Sequence, residues 1–236
     1  MRLTPRQRAS WLAHLFKAAT QQHHRDLEPL LRPLVPADGV VLDVGAHAGQ
    51  FAKLFARLAP RGQVWAFEPS AYARSILVPA LALNGLSRRV HVVPAGLSDA
   101  PGELVLHTPL KRTGALGFGT AHLGEGGEAL GVHDQAVRLL TLDAFAAERG
   151  LDRLDVIKID IEGWELRALM GGAATLARFR PAILLEADAA MLARAGDDPA
   201  ALFGFLEGLG YRPFSVPDRR PLDGYSDADD YLFLAA

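Results

Sequence analysis

The chain has 236 residues, of which half are apolar and 22% are charged, with a formal net charge of −2 and no cysteine. This is the composition of a globular chain with room for a sizeable core. The charge balance provides no field to attract nucleic acid, and the lack of cysteine excludes disulfides and thiolate metal sites. No apolar run approaches the roughly 18 residues that a membrane span needs. We therefore predict a cytoplasmic protein with no membrane span and no nucleic-acid partner.

The N-terminal residues, 1–37, predict a helical extension. Leu12 and Phe16 have helical spacing, and Pro33 and Pro36 end the pattern. Strands and helices then alternate. The strands are predicted at 40–44, 63–67 and 89–97, and the helices at 50–59 and 70–84, the second with Ser70 as its N-cap. This alternation favours a parallel sheet with helices on both faces.

The alternation is interrupted after the third strand. Strands are predicted at 102–110 and 136–143, with a glycine-rich segment at 111–135 between them. A segment of that length without regular periodicity is unusual in a compact domain, so we predict a mobile lid or substrate loop. An exposed insertion without function is the alternative.

The alternating pattern resumes in the C-terminal part of the chain. Strands are predicted at 154–160, 181–187, 211–216 and 230–235, and helices at 163–177 and 199–210. The last two strands are expected to form an antiparallel edge. We predict an α/β fold: a doubly wound, mostly parallel sheet with an antiparallel edge strand, in one domain over residues 38–236.

The stretch VLDVGAHAGQ (41–50) marks the first candidate binding site. Asp43 ends the first strand, and Gly45 and Gly49 lie in the turn that follows it. Ligands of doubly wound sheets bind beyond the carboxyl ends of the strands. A side chain at either glycine would collide with a ligand that lies against the backbone. The turn lacks the third glycine of the dinucleotide fingerprint, which argues against NAD.

The stretch AFEPS ends the second strand with Glu68. An acid at this position can accept hydrogen bonds from both ribose hydroxyls of a nucleoside. An exposed turn acid before Pro69 is the alternative for Glu68 taken alone. Together with the glycine turn, Glu68 favours a nucleoside ligand without pyrophosphate, and S-adenosylmethionine is such a ligand.

Six blocks of the sequence resemble the FkbM family of S-adenosylmethionine-dependent methyltransferases. They are VLDVGAHAGQF, AFEPS, LSDAPGEL, TLDAF, VIKIDIEGWELRALMGG and ILLEAD, within about residues 38–187, and DDYLFL resembles the closing strand of the family. The block KIDIEGWE is the most distinctive. His47 departs from the family, which often has Asn there; either side chain can cap the turn.

The resemblance implies a Rossmann-like class I methyltransferase fold with S-adenosylmethionine as its cofactor. It carries a set of cofactor-binding positions over to this chain. They are Asp43, Gly45, His47, Gly49, Glu68, Ser98 and Asp160.

Methyl transfer to a hydroxyl requires a base that takes the hydroxyl proton. Lys158, Asp160 and Glu162 alternate and would share one face if the strand continued to Glu162. They are the predicted catalytic residues, with Asp160 as the first choice of base. A charge on Glu162 would raise the pKa of Asp160 and the charge of Lys158 would lower it, so the direction of the net pKa shift of Asp160 stays open. Glu165 and Glu186 are further candidates near this rim.

Simpler interpretations exist for several of these residues. Glu162 and Glu165 also suit a helix N-terminus, and Lys158 also suits a structural role as a partner for buried acids. A divalent ion held by Asp160, Glu162 and Glu186 is chemically reasonable, but nothing requires it and no metal is predicted.

The histidines form no metal-binding motif. His107, His122 and His133 flank or lie in the glycine-rich segment, where one of them is an alternative base or substrate contact. Surface histidines are the simpler interpretation of these three. His23 and His24 are interpreted as a solvated pair.

The function predicted from these residues is O-methylation of a small-molecule hydroxyl on a sugar, glycolipid or polyketide. The alternative is a nucleoside-binding or regulatory protein that keeps the fold and has lost the chemistry. An oxidoreductase and a nucleic-acid methyltransferase are disfavoured by the glycine spacing and by the absence of a basic patch.

Overall fold

The computed structural model describes residues 4–109, 122–123, 132–216, 218–226 and 230–236. The predicted lid at 111–135 falls largely on residues 110–121 and 124–131, which lie outside the described residues. The side chains of His107, His122 and His133 also lie outside them.

The N-terminal part is helical, as predicted. It contains α1 (Pro5–Thr20), a 3-10 helix (Arg25–Leu27) and α2 (Glu28–Leu31). Thr4 caps α1 in a reciprocal arrangement, because its side chain accepts the backbone N–H of Gln7 and the Gln7 side chain accepts the N–H of Thr4.

Among the described residues, seven strands form the central sheet. They are β1 (Val40–Val44), β2 (Gln63–Phe67), β3 (Val90–Val93), β8 (Val156–Ile159), β9 (Ala182–Glu186), β10 (Tyr211–Ser215) and β11 (Asp230–Ala235), in the spatial order β10-β11-β9-β8-β1-β2-β3. All pairs are parallel except those of β11, which lies between β9 and β10. The strand order reverses at β1, where doubly wound sheets bind ligands.

Four further strands in the described part of the chain form a second sheet. They are β4 (Gly96–Leu97), β5 (Gly102–Pro109), β6 (His122–Leu123) and β7 (Val132–Leu140), in the order β4-β7-β5-β6. The strand predicted at 89–97 is therefore wrong as a single element, because its two ends belong to different sheets. Both parts are apolar, but Pro94 between them lacks the backbone N–H that a continuous strand needs and was the available signal.

The remaining helices flank the central sheet. They are α3 (Gln50–Leu58), α4 (Ala71–Leu83), α5 (Leu142–Arg149), α6 (Glu165–Met170), α7 (Ala173–Phe179), α8 (Ala189–Ala195) and α9 (Pro199–Gly208). Ser70 caps α4 as predicted, through the N–H of Ala73. The single helix predicted at 163–177 is two helices, and α5 and α8 were missed. Thr141 and Asp188 cap those two helices and were the available signals.

Successive residues of each strand face opposite apolar layers. Leu42, Val44 and Ile157 pack in a layer with residues of α5, α6, α7 and α9. Val41 and Val156 pack in the other layer, with residues of α2, α3 and α4. No helix in the described part of the chain is both long and apolar enough to span a bilayer.

The side chain of Lys53 fastens the end of α1 to the main domain. Lys53 lies in α3 and is buried. Its ammonium donates hydrogen bonds to the backbone carbonyls of Ala18 and Gln21. On the other side of α1, the indole N–H of Trp11 donates to the Ser75 hydroxyl of α4 at 3.0 Å.

We expect Lys53→Met to lower the free energy of unfolding by about 1–3 kcal/mol, because it leaves two carbonyls without their donor. Urea denaturation followed by circular dichroism measures this change. Lys17→Met, at an exposed lysine of α1, is the matched control and should change stability by less than about 0.5 kcal/mol. Equal stability of Lys53→Met and the unaltered protein would contradict the anchoring role.

Candidate active site

A cavity of about 400 Å³ lies at the carboxyl ends of the parallel strands. This volume is within the range of small-molecule sites. Its described lining contains six carboxyl groups and one lysine. The carboxyl groups belong to Asp43, Glu68, Asp160, Glu162, Glu186 and Asp230, and the lysine is Lys158. The cavity is therefore acidic, although the chain as a whole is nearly neutral.

Lys158 is the centre of a buried charge network in this cavity. Asp43 and Lys158 are register partners on β1 and β8, so their side chains lie on the same face of the sheet. The Nζ of Lys158 lies 3.9 Å from Oδ1 of Asp43 and 3.0 Å from Oδ2 of Asp160. It also lies 3.4 Å from the carbonyl oxygen of Gly45.

This network sets the charge of its members. Burial raises the pKa of Asp43 to about 6, although Lys158 opposes the shift. Burial disfavours the charge of Lys158, but Asp160 and Asp43 outweigh it and hold its pKa above the ordinary value. Burial acts on Asp160 too, but Lys158 outweighs it, so the pKa of Asp160 lies below its ordinary value. Lys158 and Asp160 are therefore a charged pair at neutral pH.

Glu186 and Asp160 form a second, unequal pair. Burial, the Asp160 charge and a hydrogen bond with Asp160 raise the pKa of Glu186 to about 8, and Asp230 adds to the shift. Glu186 is therefore largely protonated at neutral pH and can donate its proton to the Asp160 carboxylate. Asp230 lies opposite Glu186, since the two residues are register partners on β11 and β9.

The alternation expected for Lys158, Asp160 and Glu162 does not hold, because β8 ends at Ile159. Glu162 lies in the following turn with a φ of 57°, and it still lines the cavity. Glu165 begins α6 and is buried. Its Oε1 accepts the N–H groups of Ile161 at 3.0 Å and Gly163 at 3.1 Å. Glu165 therefore closes the turn and is not among the lining residues.

Glu68 is buried at the end of β2 and lines the cavity. Its two carboxylate oxygens each accept one backbone N–H at 2.7 Å, from His47 and from Ser70. Burial raises the pKa of Glu68 to about 7, although both N–H groups oppose the shift. His47 has a φ of 48° and lines the cavity. Burial lowers the pKa of His47 to about 4, so its imidazole is neutral.

A family model described as the methyltransferase FkbM domain matches residues 43–213. This chain belongs to the FkbM methyltransferase family. Membership confirms the family predicted from the sequence, which is a family of S-adenosylmethionine-dependent methyltransferases. The match begins at residue 43, and the predicted division of the chain at residue 37 stays a prediction.

Two relatives are similar to about two thirds of this chain. The AMB antimetabolite synthetase AmbE of Pseudomonas aeruginosa is 33% identical over 181 residues, which cover 64% of this chain and 8% of AmbE. The 2-O-methyltransferase NoeI of Sinorhizobium fredii is 27% identical over 165 residues, which cover 66% of this chain and 65% of NoeI. The chain thus spans less than two thirds of the length of either relative.

A solved structure confirms the fold. The O-methyltransferase from Bacillus cereus, in complex with SAH, matches with a TM-score of 0.52 and 16% identity. The match covers 100% of this chain and 93% of that chain. The FkbM protein described here therefore has the Rossmann-like class I methyltransferase fold that its sequence predicted.

The glycines of the FkbM turn are required by the protein itself, and the predicted approach of a ligand to their backbone stays a prediction. Gly45 has a φ of 81°, and a Cβ there would overlap the carbonyl oxygen of Asp160. Gly49 is not among the lining residues, and a Cβ there would meet the side chain of Leu77. Both positions are therefore restricted by the protein itself, without any ligand.

Ser98 is buried outside the cavity lining. Its hydroxyl accepts the indole N–H of Trp164 at 3.1 Å and donates to Asp99 at 2.8 Å. These bonds connect the block LSDAPGEL to the block KIDIEGWE. The cofactor-binding roles of Ser98 and Gly49 stay predictions.

Two described lining residues outside the range of the family model, Asp230 and His24, were missed as site residues. Asp230 begins β11, and an antiparallel strand begins at the edge where its parallel neighbours end, so the DDYLFL block carried a usable signal. His24 lines the cavity and is exposed, as is His23, so its interpretation as part of a solvated pair is compatible with its place in the lining. No local pattern connects His24 to this site. Within the described ranges, no three carboxylate or imidazole groups are arranged to hold a metal ion, and the assignment without metal stays a prediction.

We expect Gly45→Ala to destabilise the protein even without cofactor, because its Cβ meets backbone that cannot move away. Gly85→Ala is the control, since Gly85 also has a positive φ of 69° but has open space around it. The control should cost about 1 kcal/mol, and Gly45→Ala about 1–3 kcal/mol more. Urea denaturation of both variants measures the difference. Equal losses would mean that Asp160 does not restrict the turn.

Proposed function

We propose that this protein is an S-adenosylmethionine-dependent O-methyltransferase that acts on a small-molecule hydroxyl, on a sugar or another natural product. The acidic cavity at the point where the strand order reverses is the observation that carries the proposal. S-adenosylmethionine carries a sulfonium and an ammonium group, and both favour a cavity lined by carboxylates. A dinucleotide would instead place its anionic pyrophosphate against the same carboxylates.

The described residues fit the cofactor at its ribose. Glu68 uses one lone pair of each oxygen for the N–H groups of His47 and Ser70. The remaining lone pairs can accept two ribose hydroxyls. We assign the turn residues Asp43, Gly45 and His47, together with Asp160, to the part of the cavity that holds the amino-acid end. The bound cofactor supplies a methyl group that is already activated by the sulfonium charge.

A side chain of the protein removes the proton of the acceptor hydroxyl. Asp160 is ionised, with Lys158 on one side and protonated Glu186 on the other. Its carboxylate can accept a hydrogen bond from the acceptor hydroxyl and thereby orient it. As the new C–O bond forms, the acceptor oxygen loses electron density and its proton becomes strongly acidic. An ionised carboxylate with a low pKa can then remove that proton.

The size of the cavity and the similarity to a relative named as an O-methyltransferase support a small-molecule hydroxyl acceptor. A cavity of about 400 Å³ suits a small molecule. The relative NoeI is a 2-O-methyltransferase by name, at 27% identity. Apolar residues at the cavity wall, such as Phe67, Leu97 and Leu106, help to exclude water from the reacting atoms.

The direct test is transfer of labelled methyl groups from S-adenosylmethionine to a panel of sugars, glycolipids and macrolides, read by mass spectrometry. A gain of one methyl group on an acceptor oxygen supports the proposal. Tight binding of S-adenosylhomocysteine without transfer to any acceptor would favour a protein that has kept the fold and lost the chemistry.

We expect Glu68→Gln to weaken S-adenosylhomocysteine binding by about 1–3 kcal/mol, because it removes charge-assisted hydrogen bonds to the ribose. Isothermal titration calorimetry measures the affinity, and circular dichroism establishes that the variant is folded. Glu103→Gln, at an exposed glutamate of β5, should bind like the unaltered protein. Unchanged affinity in folded Glu68→Gln would exclude the ribose assignment.

We expect Asp160→Asn to lower kcat by about 10²-fold or more, since it removes the proton acceptor and keeps the shape. Cofactor affinity should change much less. Glu186→Gln is the matched control: Glu186 is largely neutral at pH 7, so the amide resembles its protonated form and the loss should be far smaller. Initial rates at saturating cofactor compare the two variants. Similar losses in both, or near-full activity of Asp160→Asn, would place the base elsewhere.

A further inference from the structure

The segment that follows α1 crosses the start of α3, directly beside the glycine turn. The Gln22 side-chain amide donates to the carbonyl oxygen of Gln50 at 2.9 Å, and the backbone N–H of His23 donates to the Gln50 side-chain oxygen at 3.1 Å. Lys53 holds the preceding residues through the carbonyls of Ala18 and Gln21. Lys53 therefore holds the segment just before the crossing, and Gln50 holds it at the crossing. The segment lies before residue 43, where the match to the family model begins.

His24 is placed at the cavity by this segment. Its φ of 58° lies in the left-handed region, which a non-glycine residue adopts when its surroundings require it. Its ring stacks on Phe51 with centroids 4.4 Å apart and planes inclined by 19°. The Nζ of Lys158 lies 5.1 Å from the centroid of the same Phe51 ring. His24, Phe51 and Lys158 all line the cavity.

We propose that this N-terminal segment completes the acceptor side of the cavity and that His24 contacts the acceptor there. The proposal rests on the methyl transfer proposed above. Glu68 marks the ribose end of the cavity, whereas His24 lies beside Phe51 and Lys158, which bonds to Asp160. The acceptor hydroxyl must reach Asp160, so a group on this side lies next to the acceptor.

The chemistry of His24 suits this contact. Burial lowers its pKa, Lys158 and His23 add to the shift, and Asp26 and Asp160 oppose it. The imidazole is therefore mainly neutral at pH 7 and offers one hydrogen-bond donor and one acceptor. A hydroxyl can use both. One face of the ring stacks on Phe51, and the residue as a whole is exposed at the cavity wall.

The first test locates His24 without any acceptor. The pKa values of His23 and His24 are measured by NMR titration with S-adenosylhomocysteine bound and with S-adenosylmethionine bound. The sulfonium charge of the second ligand should lower the pKa of His24 and leave that of His23 nearly unchanged, because charge effects weaken with distance. Equal pKa values of His24 in the two complexes would place it away from the reacting atoms and overturn the proposal.

The second test measures the contact with the acceptor itself, using the panel compound with the highest turnover. His24→Ala should lower kcat/KM for that acceptor about tenfold or more, with unchanged affinity for S-adenosylhomocysteine. His24→Gln should recover part of the loss, because the amide keeps a donor and an acceptor. His23→Ala is the control and should behave like the unaltered protein.

The outcomes separate this proposal from the proposed function. If the unaltered protein binds S-adenosylhomocysteine but methylates nothing in the panel, the proposed function fails, and the NMR comparison alone decides the position of His24. If the unaltered protein is active and His24→Ala retains its acceptor kinetics, only the His24 proposal is overturned. A loss of S-adenosylhomocysteine affinity in His24→Ala would place His24 on the cofactor side, which also overturns it.

Discussion

The active site depends on one buried lysine held between two carboxylates. Lys158 and Asp43 are directly paired in register on the two central strands, and both are buried. Charges in such a place are tolerated only when each has a partner, and loss of one partner typically costs about 3–5 kcal/mol. Because Lys158 also holds Asp160, the pairing fixes the ionisation of the residue that we propose as the base. The core of the sheet and the chemistry of the site therefore depend on the same contact.

Much of the fold could be predicted because local periodicity determines it. The central strands are short apolar runs between helices, and each was placed within a few residues of its observed bounds. The second sheet was not predicted, because Gly96–Leu97 pairs with β7 some forty residues away; Pro94, which cannot donate to a strand ladder, was the available signal that β3 ends before it. The helix predicted at 163–177 divides at Gly171 and Gly172, where the backbone of Gly171 lies against that of Ser98.

The site was predictable where it lies at strand ends. Asp43, Glu68 and Asp160 follow or end parallel strands, and this position alone indicated a shared edge. Asp230 lies at the same edge for a related reason: β11 is antiparallel, so it begins where its parallel neighbours end. The direction of the Asp160 pKa, the cause of the Gly45 requirement and the place of His24 could not be predicted. Each results from contacts between residues that are far apart in sequence.

Two lining residues lie outside the range matched by the family model. His24 precedes that range and Asp230 follows it, and both line the same cavity as Asp160 and Glu186. The residues proposed to hold the cofactor, by contrast, lie inside that range. A substitution in either flanking segment would therefore reshape the cavity wall from outside the matched range and leave the residues at the strand ends in place.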